Sequence, residues 1–128
     1  MGYSIKLNLS HKKLWEIDMK DKDAYTAMFL CPGSYFIFDP LLDNKTIEYI
    51  DKTFSPASTK GRGYKIIKLK EIKEKIIPNL KKAFKILEER KDTLSPEVYD
   101  ECYTHLLGFL HLCETAVKYK ADIRVSSA

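Results

Sequence analysis

Residues 95–120 read SPEVYDECYTHLLGFLHLCETAVKYK, and they carry the clearest helical pattern of the chain. Ser95 supplies a capping oxygen, Pro96 fits the first helical position, and Glu97 complements the positive end of the helix dipole. Apolar residues at helical spacing form one stripe, Val98, Cys102, Leu106, Phe109, Cys113 and Ala116, which Tyr103, Leu107, Leu110 and Val117 widen almost all round. Because a helix that is apolar on most sides is covered by several neighbours, we predict that a helix over 96–120 is the centre of the domain.

Short strands are predicted to form a small sheet that packs on this central helix. Residues 2–9 alternate between apolar and polar side chains, which is the period of a half-buried strand. Aromatic and β-branched residues favour two further strands near 35–39 and 64–68, and the tail 122–125 is a candidate for another strand at the sheet edge. The predicted fold class is therefore α+β, helix-rich, with one domain that covers residues 1–128.

Further helical segments are predicted between these strands. Each shows a capping residue or an apolar stripe at helical spacing. They are a helix after Ser10, a second piece over 21–30, a helix over 45–54 after Asp43 or Asn44, and a long helix over 69–91. Pro78 lies inside the long helix, so we expect a kink there or a junction between two helices.

Composition and patterning indicate a soluble globular protein. Hydrophobic residues make up 45% of the chain and charged residues 31%, and no apolar run approaches the roughly 20 residues of a membrane span. The first thirty residues are interrupted by lysine and aspartate, unlike a secretion signal. The three cysteines cannot all pair, so we predict a cytoplasmic protein without a disulfide framework. No heptad pattern predicts an oligomeric state.

Neither a metal site nor a cofactor site is predicted. Cys102 and His105 lie one turn apart on the central helix, but Cys113 lies three turns further along and His111 does not share the face of His105. A third ligand would have to come from His11 or Cys31 through tertiary folding, so core packing is the preferred interpretation. Cys31 is a candidate nucleophile, but it lies at a predicted helix C-terminus, where the helix dipole disfavours the thiolate. A structural cysteine is therefore the preferred interpretation, and the sequence leaves the reactivity of Cys31 open. Gly61 and Gly63 permit an anion contact in a basic loop, but no phosphate-binding motif is complete. The sequence therefore predicts a protein that is not an enzyme.

Basic charge is concentrated in one segment of the chain. Residues 60–91 contain twelve Lys or Arg and four Glu, a balance of +8 in a chain whose net charge is +4. Helical spacing puts most of these lysines opposite the apolar stripe of the helix 69–91, where they form a solvated face. The residues predicted to meet a partner are Lys60, Arg62, Tyr64, Lys73, Lys81 and Lys85.

A small domain with charged faces and no chemical motif is suited to binding another macromolecule. The leading hypothesis is a bacterial immunity protein, a small protein that binds a toxin domain and inhibits it. An acidic partner would meet the basic segment, whereas a basic toxin such as a nuclease would meet the acidic residues Asp18, Asp21, Asp23, Asp39 and Asp43. The alternative is a nonspecific nucleic-acid-binding module that uses the lysines of 60–91.

Overall fold

The computed structural model describes residues 3–30, 37–55, 59 and 62–127. This part of the chain is helix-rich with a small antiparallel sheet, which confirms the α+β fold class. The strands are β1 (Tyr3–Leu7), β2 (Ala27–Leu30), β3 (Tyr64–Ile67) and β4 (Ile123–Ser127). The helices are α1 (His11–Lys20), α2 (Lys45–Phe54), α3 (69–89) and α4 (Pro96–Lys118), with short 3-10 turns at Asp39–Leu41 and Lys91–Thr93.

The four strands are hydrogen-bonded in the order β2-β1-β4-β3, and every neighbouring pair is antiparallel. The strand predicted over 122–125 exists, but its predicted place at the sheet edge is wrong. Val125 faces Ile5 on one side and Lys65 on the other, so β4 lies inside the sheet. Whether a strand lies at the edge or in the interior of a sheet depends on which distant strands pair with it. The sequence of residues 122–125 alone does not determine this.

The helix predicted over 21–30 is wrong, because its second half is strand β2. Helix α1 ends at Lys20, where Asp21 adopts an extended conformation and its carboxylate accepts the backbone N–H of Asp23. This local bond competes with a continuing helix. Residues 27–30 then pair with β1, which satisfies their backbone groups in the sheet.

The strand predicted near 35–39 is wrong over its described part, and its residues 35 and 36 lie outside the described residues. Ile37 and Phe38 form a turn that leads into the 3-10 turn Asp39–Leu41. The carbonyl of Ile37 accepts the thiol of Cys102, and the ring of Phe38 lies 6.3 Å from that of Phe109. These contacts hold the segment against α4 rather than in the sheet.

Helix α3 is continuous from residue 69 to residue 89, but its winding changes along its length. It begins as α-helix at Leu69–Glu71, widens to a π-helical stretch at Ile72–Ile76, and returns to α-helix at Ile77–Glu89. Pro78 has no N–H to donate into the preceding turn, and a π-helical turn accommodates such a missing bond. The irregularity predicted at Pro78 therefore lies in the turn just before it.

Helix α4 is central, as predicted, and most of its first apolar stripe is fully buried. Its buried side chains meet the inner face of the sheet and the buried sides of α2 and α3 in one cluster. The ring of Phe109 stacks on Phe54 of α2 at 4.2 Å. The second stripe is less buried than predicted, because Tyr103 is 42% exposed. In the described part of the chain, no helix combines the length and apolar character of a membrane span.

The predicted capping residues take the expected roles. Ser10 accepts the backbone N–H of Lys13, and Ser95 accepts that of Val98. Asn44 is the cap of α2, whereas Asp43 forms an ion pair with Arg90 at 2.5 Å. The choice left open between Asp43 and Asn44 is thus decided by a contact with the end of α3.

Replacing Ile123 with alanine tests the burial of β4 on the inner face of the sheet. Ile123 is fully buried on the inner face of the sheet, so we expect the free energy of unfolding to fall by about 2–5 kcal/mol. The control is Ile66→Ala on β3, a half-exposed residue whose truncation should cost less than about 1 kcal/mol. Urea unfolding followed by circular dichroism measures both values, and equal losses would contradict the assignment of Ile123 to the inner face and Ile66 to the opposite face.

Candidate functional site

The residues predicted to meet a partner lie on two separate elements. Arg62 and Tyr64 are exposed at the start of β3, whereas Lys73, Lys81 and Lys85 are exposed along α3. Lys60 lies outside the described residues. The structure therefore does not gather the predicted set into one cluster, and each location has its own surroundings.

The first location is an open groove of about 990 Å³ between α2 and β3. Tyr49 and Asp51 of α2 line one side, and Arg62, Tyr64 and Ile66 line the other. The Tyr49 hydroxyl donates to a carboxylate oxygen of Glu71 at 3.0 Å, and burial together with that carboxylate raises the pKa of Tyr49 to about 12. This groove presents charges of both signs together with the apolar surface of Tyr64 and Ile66.

Asp51 is the electrostatically costly group of this groove. Burial raises the pKa of its carboxyl, and the negative charge of Asp39 raises that pKa further. Both effects favour the neutral acid over the carboxylate. Asp51 therefore opposes folding at neutral pH and has no predicted role in binding.

The second location is a shallow cleft between α3 and α4, which we call the α3–α4 groove. Its volume is about 480 Å³. The side chains that line it include Phe84, Lys85, Glu88, Tyr99, Tyr103 and Leu107. Among the predicted residues on α3, Lys85 is the one that lines this cleft.

The aromatic rings of the α3–α4 groove hold one another in place. Phe84 meets Tyr103 edge to face with ring centroids 5.5 Å apart, and Tyr103 stacks with Tyr99 at 6.2 Å. Such pairs are worth about 0.5–1.5 kcal/mol beyond the area they bury. Tyr103 keeps 42% of its surface exposed within this arrangement, so it presents an oriented aromatic face to solvent.

Charged groups at the rim fix the remaining tyrosine. The Tyr99 hydroxyl donates to Glu88 at 2.7 Å, and the ammonium of Lys91 lies 5.0 Å from the centroid of the Tyr99 ring. The hydrogen bond to Glu88, helped by burial, raises the pKa of Tyr99 to about 12. Tyr99 therefore stays a neutral donor at physiological pH. The α3–α4 groove therefore combines aromatic rings in mutual contact with the charged side chains of Lys85 and Glu88.

Tyr99 was not among the predicted site residues, and Tyr103 was assigned to the buried side of the central helix. Tyr99, Tyr103 and Leu107 recur every four residues on α4, on a stripe that Phe84 of α3 lies beside. A chemical signal was present in the sequence. Two tyrosines one turn apart carry hydroxyls that need water or a polar partner, whereas the buried stripe holds none.

The thiols in the described residues are structural. Cys102 donates to the Ile37 carbonyl at 3.3 Å, and burial raises its pKa to about 11. Burial raises the pKa of Cys113 to about 12. His105 contacts the backbone carbonyl of Glu101 through Nδ1 at 2.9 Å, so it does not turn toward Cys102 as a ligand pair would. Cys31 lies outside the described residues.

Within the described residues, no group of three or more histidine, cysteine or carboxylate side chains is arranged to hold a metal ion. The basic loop considered for anion binding is described only at Arg62 and Gly63 of residues 60–63. Gly63 has a φ of +84° and its carbonyl accepts the N–H of Ser127, so this glycine serves the start of β3.

No family model matches the chain, and neither a curated protein nor a solved structure matches it. The chemistry of its surfaces is therefore the basis for a functional proposal.

Asp51→Asn should raise stability at neutral pH, since the amide removes the cost of a half-buried charge. The unfolded aspartate ionises near its ordinary pKa of 3.8, and the folded one ionises higher. As pH rises through that interval, the native protein loses stability and the variant does not. Below pH 3.8 the free energies of unfolding of the two proteins should become similar.

Asp43→Asn is the matched control with the opposite sign. The Arg90 guanidinium lowers the pKa of Asp43, so this carboxylate stabilises the fold above its ordinary pKa and the stabilisation disappears on acidification. We expect Asp43→Asn to lower stability at neutral pH. Urea unfolding of both variants over an acidic to neutral pH series measures the two effects, and shifts of the same sign would contradict this assignment.

Cys102 and Cys113 should resist a thiol reagent until the protein unfolds. In a Cys31→Ser variant only these two thiols remain, and we expect labelling at mildly alkaline pH to be at least about 100-fold slower in the native state than in denaturant. The rate of mass increase measures this. Rapid native labelling of either thiol would show that α4 opens or that its thiol is reactive.

Proposed function

We propose that this chain binds a protein partner through the α3–α4 groove and inhibits it, as an immunity protein neutralises a bacterial toxin. The observation that carries the proposal is the exposed ring of Tyr103, held between Phe84 and Tyr99 in a cleft beside Lys85. The proposal assigns no catalytic group and no cofactor to the chain. It places the protein in the cytoplasm, where it would meet the toxin domain.

A protein partner suits this surface for energetic reasons. Tyrosine anchors are enriched among the residues that dominate binding energy at protein interfaces. A tyrosine ring also loses little conformational entropy on binding, because it has two side-chain torsions. Here the ring contacts of Tyr103 have already restricted those torsions, so more of the contact energy is available for the partner.

The charges around the groove favour an acidic partner surface. Lys81 and Lys85 are exposed one turn apart on α3, and Lys73 lies on the same helix. Exposed charges of this kind mainly accelerate association and select partners, whereas the desolvated rings supply affinity. We therefore expect an apolar side chain of the partner to enter the groove, with carboxylates placed opposite Lys81 and Lys85.

A second candidate is nonspecific nucleic-acid binding by the lysines of α3. Lys70, Lys73, Lys81, Lys82 and Lys85 are all exposed, which favours contact with phosphates. Carboxylates interrupt this surface, because Glu74, Glu88 and Glu89 are exposed on the same helix. The mixed surface and the aromatic groove both fit a protein better than a duplex.

Co-expression tests the proposal directly. Each protein encoded beside this chain is produced in a bacterial host alone and together with it. We expect one neighbour to arrest growth alone and the native chain to restore growth. A Tyr103→Ala, Lys85→Glu double variant should fail to restore growth and should bind that neighbour at least about 30-fold more weakly, as loss of a 2 kcal/mol anchor requires.

The matched control is the double variant Tyr25→Ala, Lys12→Glu, since Tyr25 is also 42% exposed but lies just before β2 and does not line the α3–α4 groove. It should protect as the native chain does. Trp15→Ala probes the other exposed apolar surface, on α1, where Trp15 is 63% exposed. Loss of protection in that variant alone would contradict the groove assignment. Binding of nucleic acid that weakens steeply with salt and depends on the α3 lysines would favour the second candidate.

A further inference from the structure

In the described part of the chain, one face of the sheet is buried against the helices and the other is partly exposed. Tyr3, Ile5 and Leu7 of β1 are buried on the inner face, and Ile123 and Val125 of β4 lie beside them. The alternate residues of the same strands point the other way. We call this second surface the outer sheet face; it carries Ser4 and Lys6 of β1, Arg124 and Ser126 of β4, and Tyr64 and Ile66 of β3.

Two cations face each other at the centre of the outer sheet face. Lys6 and Arg124 are direct partners in the β1–β4 register. Two positions along, the N–H of Asn8 donates to the carbonyl of Asp122, so by the alternation of an antiparallel ladder Lys6 and Arg124 are also a hydrogen-bonded pair. Their Cβ atoms are then about 4.5–5.5 Å apart, and like charges so placed oppose folding.

No carboxylate compensates this pair in the described part of the chain. None of the ion pairs there includes Lys6 or Arg124. Asp122, two residues before Arg124, is engaged instead by Lys68 at 3.7 Å and by the backbone N–H of Leu69 at 2.8 Å. An anion bound between the two cations would relieve their repulsion.

Arg124 is held in a fixed orientation. Its guanidinium lies 4.1 Å from the centroid of the Tyr64 ring, and its Nε donates to the Ser126 hydroxyl at 3.0 Å. Neither terminal nitrogen has a hydrogen-bonding partner among the described residues. The planar group therefore offers oriented donors and a stacking surface at little further entropic cost.

We propose that the outer sheet face binds single-stranded nucleic acid. A backbone phosphate lies between Lys6 and Arg124, and a base stacks on the pair formed by Tyr64 and Arg124. Aromatic rings and guanidinium planes both serve as platforms for unpaired bases, and adjacent cations hold the backbone. An acidic peptide would satisfy the cations but would leave the stacking surface unused. This site is separate from the α3–α4 groove and does not depend on the function proposed for it.

Fluorescence anisotropy with labelled oligouridine and oligothymidine tests the proposal. The oligonucleotides have about twelve nucleotides, a length within the range that one such binding surface covers. We expect Lys6→Gln and Arg124→Gln each to weaken binding about tenfold at low salt. Each should also reduce the slope of log affinity against log salt by about 0.7, the value for one lost phosphate contact on a single strand. Tyr64→Leu should weaken binding about fivefold or more and leave that slope unchanged, because it removes stacking without removing charge.

Lys81→Gln and Lys85→Gln are the matched controls, since they remove the same charge from α3. They should change affinity by less than about twofold. Lys6→Gln should also be at least as stable as the native protein in urea, because it removes a like-charge pair. That readout separates lost binding from lost folding.

Three results would overturn the proposal. One is the absence of binding at low salt. Another is an equal loss of affinity in the α3 controls, which would show that binding depends on the overall charge of the protein rather than on this face. The third is a polyglutamate peptide that binds as tightly as the oligonucleotides and responds to the same substitutions, because it would assign the face to acidic protein segments.

Discussion

The pairing of β4 with both β1 and β3 is the interaction on which the rest of the structure depends. Strand β3 pairs with β4 alone, so without β4 it would have no partner in the sheet. The same strand brings Ile123 and Val125 into the core beneath α4. Strand β4 therefore completes a sheet that β1 begins, and helices α1 to α4 all lie between these two strands in the sequence.

The turn between α4 and β4 directs the chain into this position. Lys120 has a φ of +54°, the N–H of Ala121 donates to the Ala116 carbonyl, and that of Lys120 donates to the Val117 carbonyl. This pair of bonds is the Schellman arrangement that ends many helices, usually with glycine at the left-handed position. A lysine there costs conformational energy, which the buried strand that follows compensates. Strand β4 is thus set by the end of the helix as well as by its own alternation.

Features that depend on neighbouring residues could be predicted from the sequence. The caps at Ser10 and Ser95 and the alternation of residues 3–7 need only local spacing, and the structure bears them out. Strand β2 could not be predicted in this way, because four residues fit a helix as well as a strand until β1 offers backbone partners. The interior place of β4 was missed for the same reason, since strand order is a property of contacts between distant segments.

The α3–α4 groove depends on how many neighbours cover α4. The sequence shows that α4 is apolar on most sides, but not that, among the described elements, α3 is the one that lines the groove beside Tyr99 and Tyr103. Helical spacing alone therefore assigned Tyr103 to the core. The exposure of this stripe depends on which elements pack around α4. An exposed position suits tyrosine, because its hydroxyl can bond to water or to a polar partner.

The outer sheet face brings together charges that are distant in the sequence. The segment 60–91 stands out because its lysines are close together in the sequence, yet most of them are solvated along one helix. Lys6 and Arg124 lie far apart in the sequence, so the charge of no single segment reveals them as a pair. The pairing of β1 with β4 places them side by side. A shift of one residue in that register would move Arg124 to the core face and Val125 to solvent. Burial of the apolar residues therefore fixes the position of the two cations, and the fold keeps them together despite their repulsion.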